Sequence, residues 1–145
     1  MDYKKFDSSI YIRFDKNDEI LSGISDVCKK EKILSATYSG IACCSEVVVS
    51  SYIPEKGSFQ EHVKTGVLDM VSLTGNISTN ENDEIFQHAH AMFSFLKDDG
   101  EMSVTGGHLL KAIILYTGEI VINPVIGGVI RRMQDPITGI TVWKL

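Results

Sequence analysis

The chain has 145 residues, of which 43% are hydrophobic and 23% are charged, with 12 glycines and 3 prolines. These proportions are typical of one globular domain and exclude collagen-like, coiled-coil and disordered chains. The net charge of −5 disfavours autonomous binding to duplex DNA, which needs lysines and arginines gathered on one face. The longest purely apolar run, about residues 112–116, is far shorter than the roughly 20 residues that cross a bilayer, so we expect no membrane partner.

The first predicted elements are a short strand and a helix. Residues 11–14 alternate in character and predict a strand. Asn17 or Asp18 is a suitable N-cap for the helix that follows, and lysines at its far end complement the helix dipole. This is the only helix that the sequence predicts, and its apolar residues recur at helical spacing: Ile20, Leu21, Ile24, Val27 and Cys28.

The rest of the chain predicts strands separated by turns. Asp98-Asp99-Gly100 indicates a hairpin, and Gly106-Gly107 indicates a flexible turn at the start of another long strand. Many strands with one early helix favour an α+β fold, in which a mainly antiparallel β-sheet packs with one principal α-helix. No linker or repeat divides residues 1–145, so we expect a single domain. The predicted strands after the helix are residues 33–39, 45–53, 67–73, 86–96, 109–122 and 140–143.

The cysteines and the N-terminus bear on the cellular compartment. Three cysteines, of which Cys43 and Cys44 are adjacent, cannot all pair within one chain. We therefore expect free thiols, which suit a reducing environment. No apolar stretch follows the first lysines, so a secretory signal is not predicted. These features predict a cytoplasmic protein.

Three of the four histidines form a pattern with metal-binding chemistry. His88 and His90 are two residues apart in a predicted strand, so both imidazoles should project from the same face. A hairpin through residues 98–100 would bring His108, which follows Gly106 and Gly107, back against that strand. Three neutral imidazoles suit zinc, and a three-ligand site leaves a position for water or substrate. The fourth histidine, His62, lies in a polar stretch and is interpreted as a surface residue.

The acidic and basic residues leave several alternatives open. Asp69 lies in an apolar stretch, where it could orient a metal-bound histidine, pair with Arg13, or lie at an exposed strand edge. Glu119 carries the same ambiguity. The basic clusters, Lys29-Lys30 with Lys32 and Arg131-Arg132, are interpreted as solvated ends of elements. Phosphate-binding, dinucleotide-binding and serine-hydrolase motifs are absent from the sequence, as is a Cys-x-x-Cys pair.

With these motifs in this order, the sequence resembles the plants and prokaryotes conserved (PPC) domain, the module that follows the AT-hooks of a plant nuclear protein family. The resemblance covers about residues 11–125, which we take as the core of the domain. No Arg-Gly-Arg-Pro AT-hook occurs in the chain, so the minor-groove reader of the plant proteins is missing. The strongest matching segments are residues 68–77, His88-Ala89-His90-Ala91, and Gly106-Gly107-His108-Leu109-Leu110.

The resemblance implies an α+β fold, a homotrimer and a cluster of histidines that holds a metal in some members. The family's His-x-His falls on His88 and His90, and its Gly-Gly-His on Gly106, Gly107 and His108. Asp69 occupies the place of the family's usual glutamate, and we expect Asp69, Arg13, Gly106 and Gly107 to support the metal ligands or to contact a bound ligand. By analogy with the family, the leading hypothesis is a free-standing DNA-binding or regulatory assembly module. The alternatives are a small zinc-dependent enzyme and a sensor of a metal or small ligand, both using the same histidines.

Overall fold

Eight strands and one α-helix make up the secondary structure of the computed structural model, which describes residues 1–145. A single 3₁₀ turn, Pro54–Lys56, links the third and fourth strands. In chain order the elements are β1 (Asp2–Phe6), β2 (Ser9–Asp15), α1 (Ile20–Lys30), β3 (Ala36–Ile53), β4 (Ser58–Thr79), β5 (Ile85–Leu96), β6 (Met102–Pro124), β7 (Arg131–Gln134) and β8 (Thr141–Lys144).

The sheet is antiparallel except at one point. β3 pairs with β4 and β6, and β5 also pairs with β4 and β6, so these four long strands close a ring of pairings. β1 and β2 extend the sheet beyond β6, and β7 joins β4 through the one parallel pair, Thr79 with Arg131. The predicted α+β fold, with a mainly antiparallel sheet and one principal helix, is confirmed.

The long strands run through glycines that were expected to end them. β3 continues across Gly40, and β6 includes both Gly106 and Gly107. The predicted ends of the strands at residues 33–39 and 67–73 are therefore wrong, since β3 continues to Ile53 and β4 continues through Gly75 to Thr79. The predicted turn at Gly106-Gly107 is wrong as well. Register shifts in β3, between Gly40 and Ala42 and between Cys44 and Glu46, bend the strand without ending its pairing.

The helix packs against β6 and β5 through the predicted apolar stripe. Ile20, Ile24, Val27 and Cys28 are buried, whereas Leu21 is half-buried. The N-cap is Glu19 rather than Asn17 or Asp18, because its carboxylate accepts hydrogen bonds from the backbone N–H groups of Leu21 and Ser22. The same carboxylate also accepts from the N–H of Ala112, which ties the start of the helix to β6.

Two further predictions concern the thiols and the membrane. All three cysteines are free, with Cys28 and Cys44 buried and Cys43 half-buried, as expected. The one α-helix, α1, is too short and too polar to span a membrane.

Candidate metal centre

The imidazoles of His88, His90 and His108 meet on the paired strands β5 and β6. His88 and His90 share one face of β5, and His108 is the Cα partner of His90 across the β5–β6 pair. The ring centroids are 5.2 Å apart for His88 and His90, 5.0 Å for His88 and His108, and 5.5 Å for His90 and His108. One ring nitrogen from each lies within 4.8 Å of the other two. The predicted convergence of three imidazoles is present.

The two glycines before His108 act through close strand approach, not through a turn. Gly107 has φ +154°, and a Cβ there would lie 2.8 Å from the backbone oxygen of Ser50 on β3. A Cβ on Gly106 would lie 2.5 Å from the backbone oxygen of Ala91 on β5. β6 therefore approaches both neighbouring strands at this point only because it lacks side chains there. That approach places the next residue, His108, opposite His90 on β5 and Ser50 on β3.

The surroundings of His88 and His108 favour the neutral form of the imidazole. Burial lowers the pKa of His88, and the neighbouring His108, His90 and Arg132 lower it further. Burial and His90 lower the pKa of His108. No hydrogen bond within the protein engages the side chains of the three histidines. Their lone pairs are therefore free for a metal, which binds imidazole in its neutral form.

The three imidazoles line a cavity of about 730 Å³, which we call the histidine cavity. Tyr52, Phe59 and Phe86 contribute aromatic surface to it, and Ile140 and Thr141 come from the C-terminal segment. Its wall contains no aspartate or glutamate. A small ligand in this cavity would therefore meet three nitrogen donors and aromatic rings, and it would meet no fixed negative charge.

Arg132 also lines the histidine cavity, although no functional role was predicted for it from the sequence. The expectation of a solvated strand end is wrong for Arg132, which is only 9% exposed. Arg131 is half-buried and forms an ion pair with the exposed carboxylate of Asp83. Arg132 reaches inward because adjacent residues of a strand point to opposite faces. Its Nε donates to Ser78 Oγ at 2.7 Å, and its guanidinium lies 4.1 Å from the ring centre of Phe86. The alternation of side chains between the two faces of a strand could have indicated, from the sequence, that Arg131 and Arg132 have different surroundings.

Two other candidate residues, Asp69 and Arg13, lie away from the histidine cavity. Asp69 is exposed on β4, between its Cα partners Cys43 and Ser94, and lines a separate cleft that also includes Glu119. Arg13 forms an ion pair with Asp15 at 3.0 Å rather than with Asp69. The lysines at the end of the helix are exposed as expected, as is His62 on β4.

Comparison with known proteins gives a family and several solved structures. The family described as the Plants and Prokaryotes Conserved (PCC) domain, the PPC domain of the sequence analysis, matches residues 1–126. A proposed DNA-binding protein from Bacteroides thetaiotaomicron has a similar structure, with a TM-score of 0.86 and 26% identity, over 99% of this chain and 96% of that one. No match was found among curated proteins.

Two archaeal structures are similar over nearly the same span. A metal-containing protein from Archaeoglobus fulgidus gives a TM-score of 0.81 with 26% identity, over 99% of this chain and 96% of that one. A plant- and prokaryote-conserved protein from Pyrococcus horikoshii gives 0.80 with 26% identity, over 99% and 94%. The motifs, the fold and the family match agree, and the chain belongs to the Plants and Prokaryotes Conserved domain family.

Proposed function

We propose that this chain is a metal-binding member of the PPC family, in which His88, His90 and His108 hold one divalent ion, with zinc as the first choice. The observation that carries the proposal is the meeting of three ring nitrogens within 4.8 Å, with no hydrogen bond occupying them. The similarity to a metal-containing archaeal protein supports it.

The donor set fits zinc. Three nitrogens bound at about 2.0–2.1 Å in a tetrahedral arrangement lie roughly 3.4 Å apart. The observed limit of 4.8 Å is larger, so the imidazole rings would have to rotate to bring the three donors to that spacing. Imidazole nitrogen without thiolate or carboxylate also favours zinc over magnesium or calcium, which prefer oxygen.

The site favours ligand binding over turnover. A zinc ion with three protein ligands supplies an open position that polarises a bound oxygen. The cavity wall offers no carboxylate to act as a general acid or base. We therefore place a sensor or binding protein ahead of a zinc-dependent enzyme, and the three imidazoles act by holding the ion next to the cavity.

The first prediction concerns the metal content of the protein. Protein purified without an affinity tag should contain about one zinc per chain by elemental analysis. His90→Ala should weaken zinc binding by about 10- to 100-fold or more in competition with a chromogenic chelator, because it removes one of three donors. The matched control is His62→Ala, which removes an exposed histidine of β4. Equal zinc affinity in both variants, or no metal uptake by the wild-type protein, would refute the proposed site.

We propose further that the chain assembles as a homotrimer, as the family resemblance implies. The supporting observation is apolar surface on neighbouring strands of the ring. Ile41 on β3 is 56% exposed, and Val67 and Val71 on β4 are 58% and 50% exposed. Exposed apolar patches of this kind are common at subunit interfaces.

The second prediction tests this assembly. Light scattering after size exclusion should give about three times the 16.1 kDa of one chain. Ile41→Asp should shift the mass toward that of a single chain, because a charge in an apolar interface is costly. Thr37→Asp, at another exposed position of β3, serves as the control. A wild-type mass of one chain at micromolar concentration would contradict the trimer.

A further inference from the structure

Arg132 carries a buried positive charge that no carboxylate of the protein neutralises. It is 9% exposed, and its three hydrogen-bond acceptors are Ser78 Oγ, Asn76 Oδ1 and the backbone oxygen of Thr141. All three are neutral groups. The ion pairs of the structure include Arg131 with Asp83 but none with Arg132. A buried charge is costly without a partner of opposite sign, so this site favours an anion from outside the chain.

The guanidinium also has donor capacity left. Arginine has five N–H donors, and the three hydrogen bonds above occupy one on each of Nε, Nη1 and Nη2. One N–H on Nη1 and one on Nη2 have no partner in the protein. Two oxygens of a single carboxylate suit such a pair of donors.

The strand pairing places this charge beside the three imidazoles. Asn76, which accepts a hydrogen bond from Arg132 Nη2 at 3.1 Å, is the Cα partner of His88 across the β4–β5 pair. Directly opposed residues of an antiparallel pair have side chains in contact range. Arg132 and the histidines accordingly line the same cavity.

The rest of the wall of the histidine cavity is suited to the carbon skeleton of an organic ligand. Tyr52 and Phe59 pack edge to face at 5.3 Å between ring centres, and Phe86 lies under the guanidinium. These rings line the cavity together with Arg132. Their apolar surface favours a carbon skeleton over a bare inorganic ion, and the single positive charge matches a single carboxylate.

We propose that Arg132 binds the carboxylate of a small organic acid whose carbon skeleton occupies the histidine cavity beside the position of the metal. The contact between Arg132 and the carboxylate does not depend on the proposed metal site. Only a second contact, between an oxygen of the acid and the metal, rests on that proposed function. Arg132 lies beyond residues 1–126, the part of the chain that the family match covers.

The test uses benzoate as the probe and benzamide, its neutral counterpart of the same shape, as the control ligand. Binding to zinc-free protein is measured from the rise in the unfolding midpoint with ligand concentration. Benzoate should bind at least about tenfold more tightly than benzamide, since charge-assisted hydrogen bonds to the guanidinium require the carboxylate. Arg132→Gln should remove this preference, whereas Arg131→Gln should retain it.

Equal binding of benzoate and benzamide, absence of benzoate binding, or an unchanged preference in Arg132→Gln would overturn the proposal. If Arg132→Gln does not fold, the comparison of the two ligands on the wild-type protein still decides. The use of zinc-free protein separates this proposal from the metal site. The benzoate preference and the zinc affinity are measured independently, so either proposal can fail while the other holds.

Discussion

Arg131 and Arg132 show how one position along a strand changes what a residue does. Arg131 pairs with the carboxylate of Asp83 near the surface, whereas Arg132 is buried against Ser78 and Phe86. Burial lowers the pKa of Arg132, yet arginine stays charged because its ordinary pKa is so high. The same residue type therefore makes a surface ion pair in one case and a charged cavity wall in the next.

The three cysteines differ in the same way, and they provide the third prediction. Burial raises the pKa of both Cys28 and Cys44 to about 12. At pH 8 such thiols are almost entirely protonated, and the thiolate is the reactive form. Burial and the carboxylate of Asp69, its Cα partner on β4, also raise the pKa of Cys43, which is half-buried.

Iodoacetamide at pH 8 should therefore modify the native protein slowly and mainly at Cys43, as read by mass spectrometry of peptides. In denaturant all three thiols should react at the rate of ordinary cysteines. Rapid labelling of Cys28 or Cys44 in the native protein would show that the helix and β3 open readily.

At the scale of elements, the ring of β3 to β6 depends on strands that continue through glycine. Alternation predicted the centres of these strands well, because a buried face leaves a period of two in the sequence. The ends were predicted poorly. Glycine is found both at turns and where two backbones come close, and only the position of the neighbouring strand distinguishes the two.

Gly107 provides the fourth prediction. Gly107→Ala should lower the free energy of unfolding by about 1–3 kcal/mol, because the residue has positive φ and its Cβ would meet the backbone of Ser50. Urea unfolding at a fixed protein concentration measures the loss. The variant should also bind zinc more weakly, since His108 follows directly on β6.

Gly128→Ala is the matched control for this measurement. A Cβ at Gly128 would meet nothing within 4 Å, so its effect should stay within about 0.5 kcal/mol. Equal stability of the two variants would show that β6 can move away from β3 at little cost.

At the scale of the whole molecule, the negative net charge disfavours nucleic acid as a partner, whereas exposed apolar surface suits contact with protein. The net charge is −5. Of the basic cluster at residues 131–132, Arg131 forms an ion pair with Asp83 and Arg132 lines the histidine cavity. The exposed basic residues include the lysines near the end of α1 and Lys4 and Lys5 on β1. The excess of acidic residues disfavours binding to phosphates, and the exposed apolar residues support the homotrimer proposed above.

The fifth prediction concerns DNA. Electrophoretic mobility shifts with a mixed-sequence duplex should show no binding at physiological salt, because few phosphates can be neutralised. The measurement is repeated across a salt series with the zinc-loaded protein. Tight binding that weakens steeply with salt would contradict the prediction and favour the DNA-binding hypothesis.

The sequence by itself determined the fold class, the family and the two imidazoles on one strand. These follow from local patterns: the period of two places His88 and His90 on one face, and the motifs identify the family. Only the tertiary structure decided that His108 lies opposite His90 and that Arg132 lines the same cavity, while Asp69 lies elsewhere. The hairpin of β5 and β6 was predicted, but its register and the pairing of β7 with the distant β4 set those placements. Register and distant pairings are selected by packing across the whole sheet.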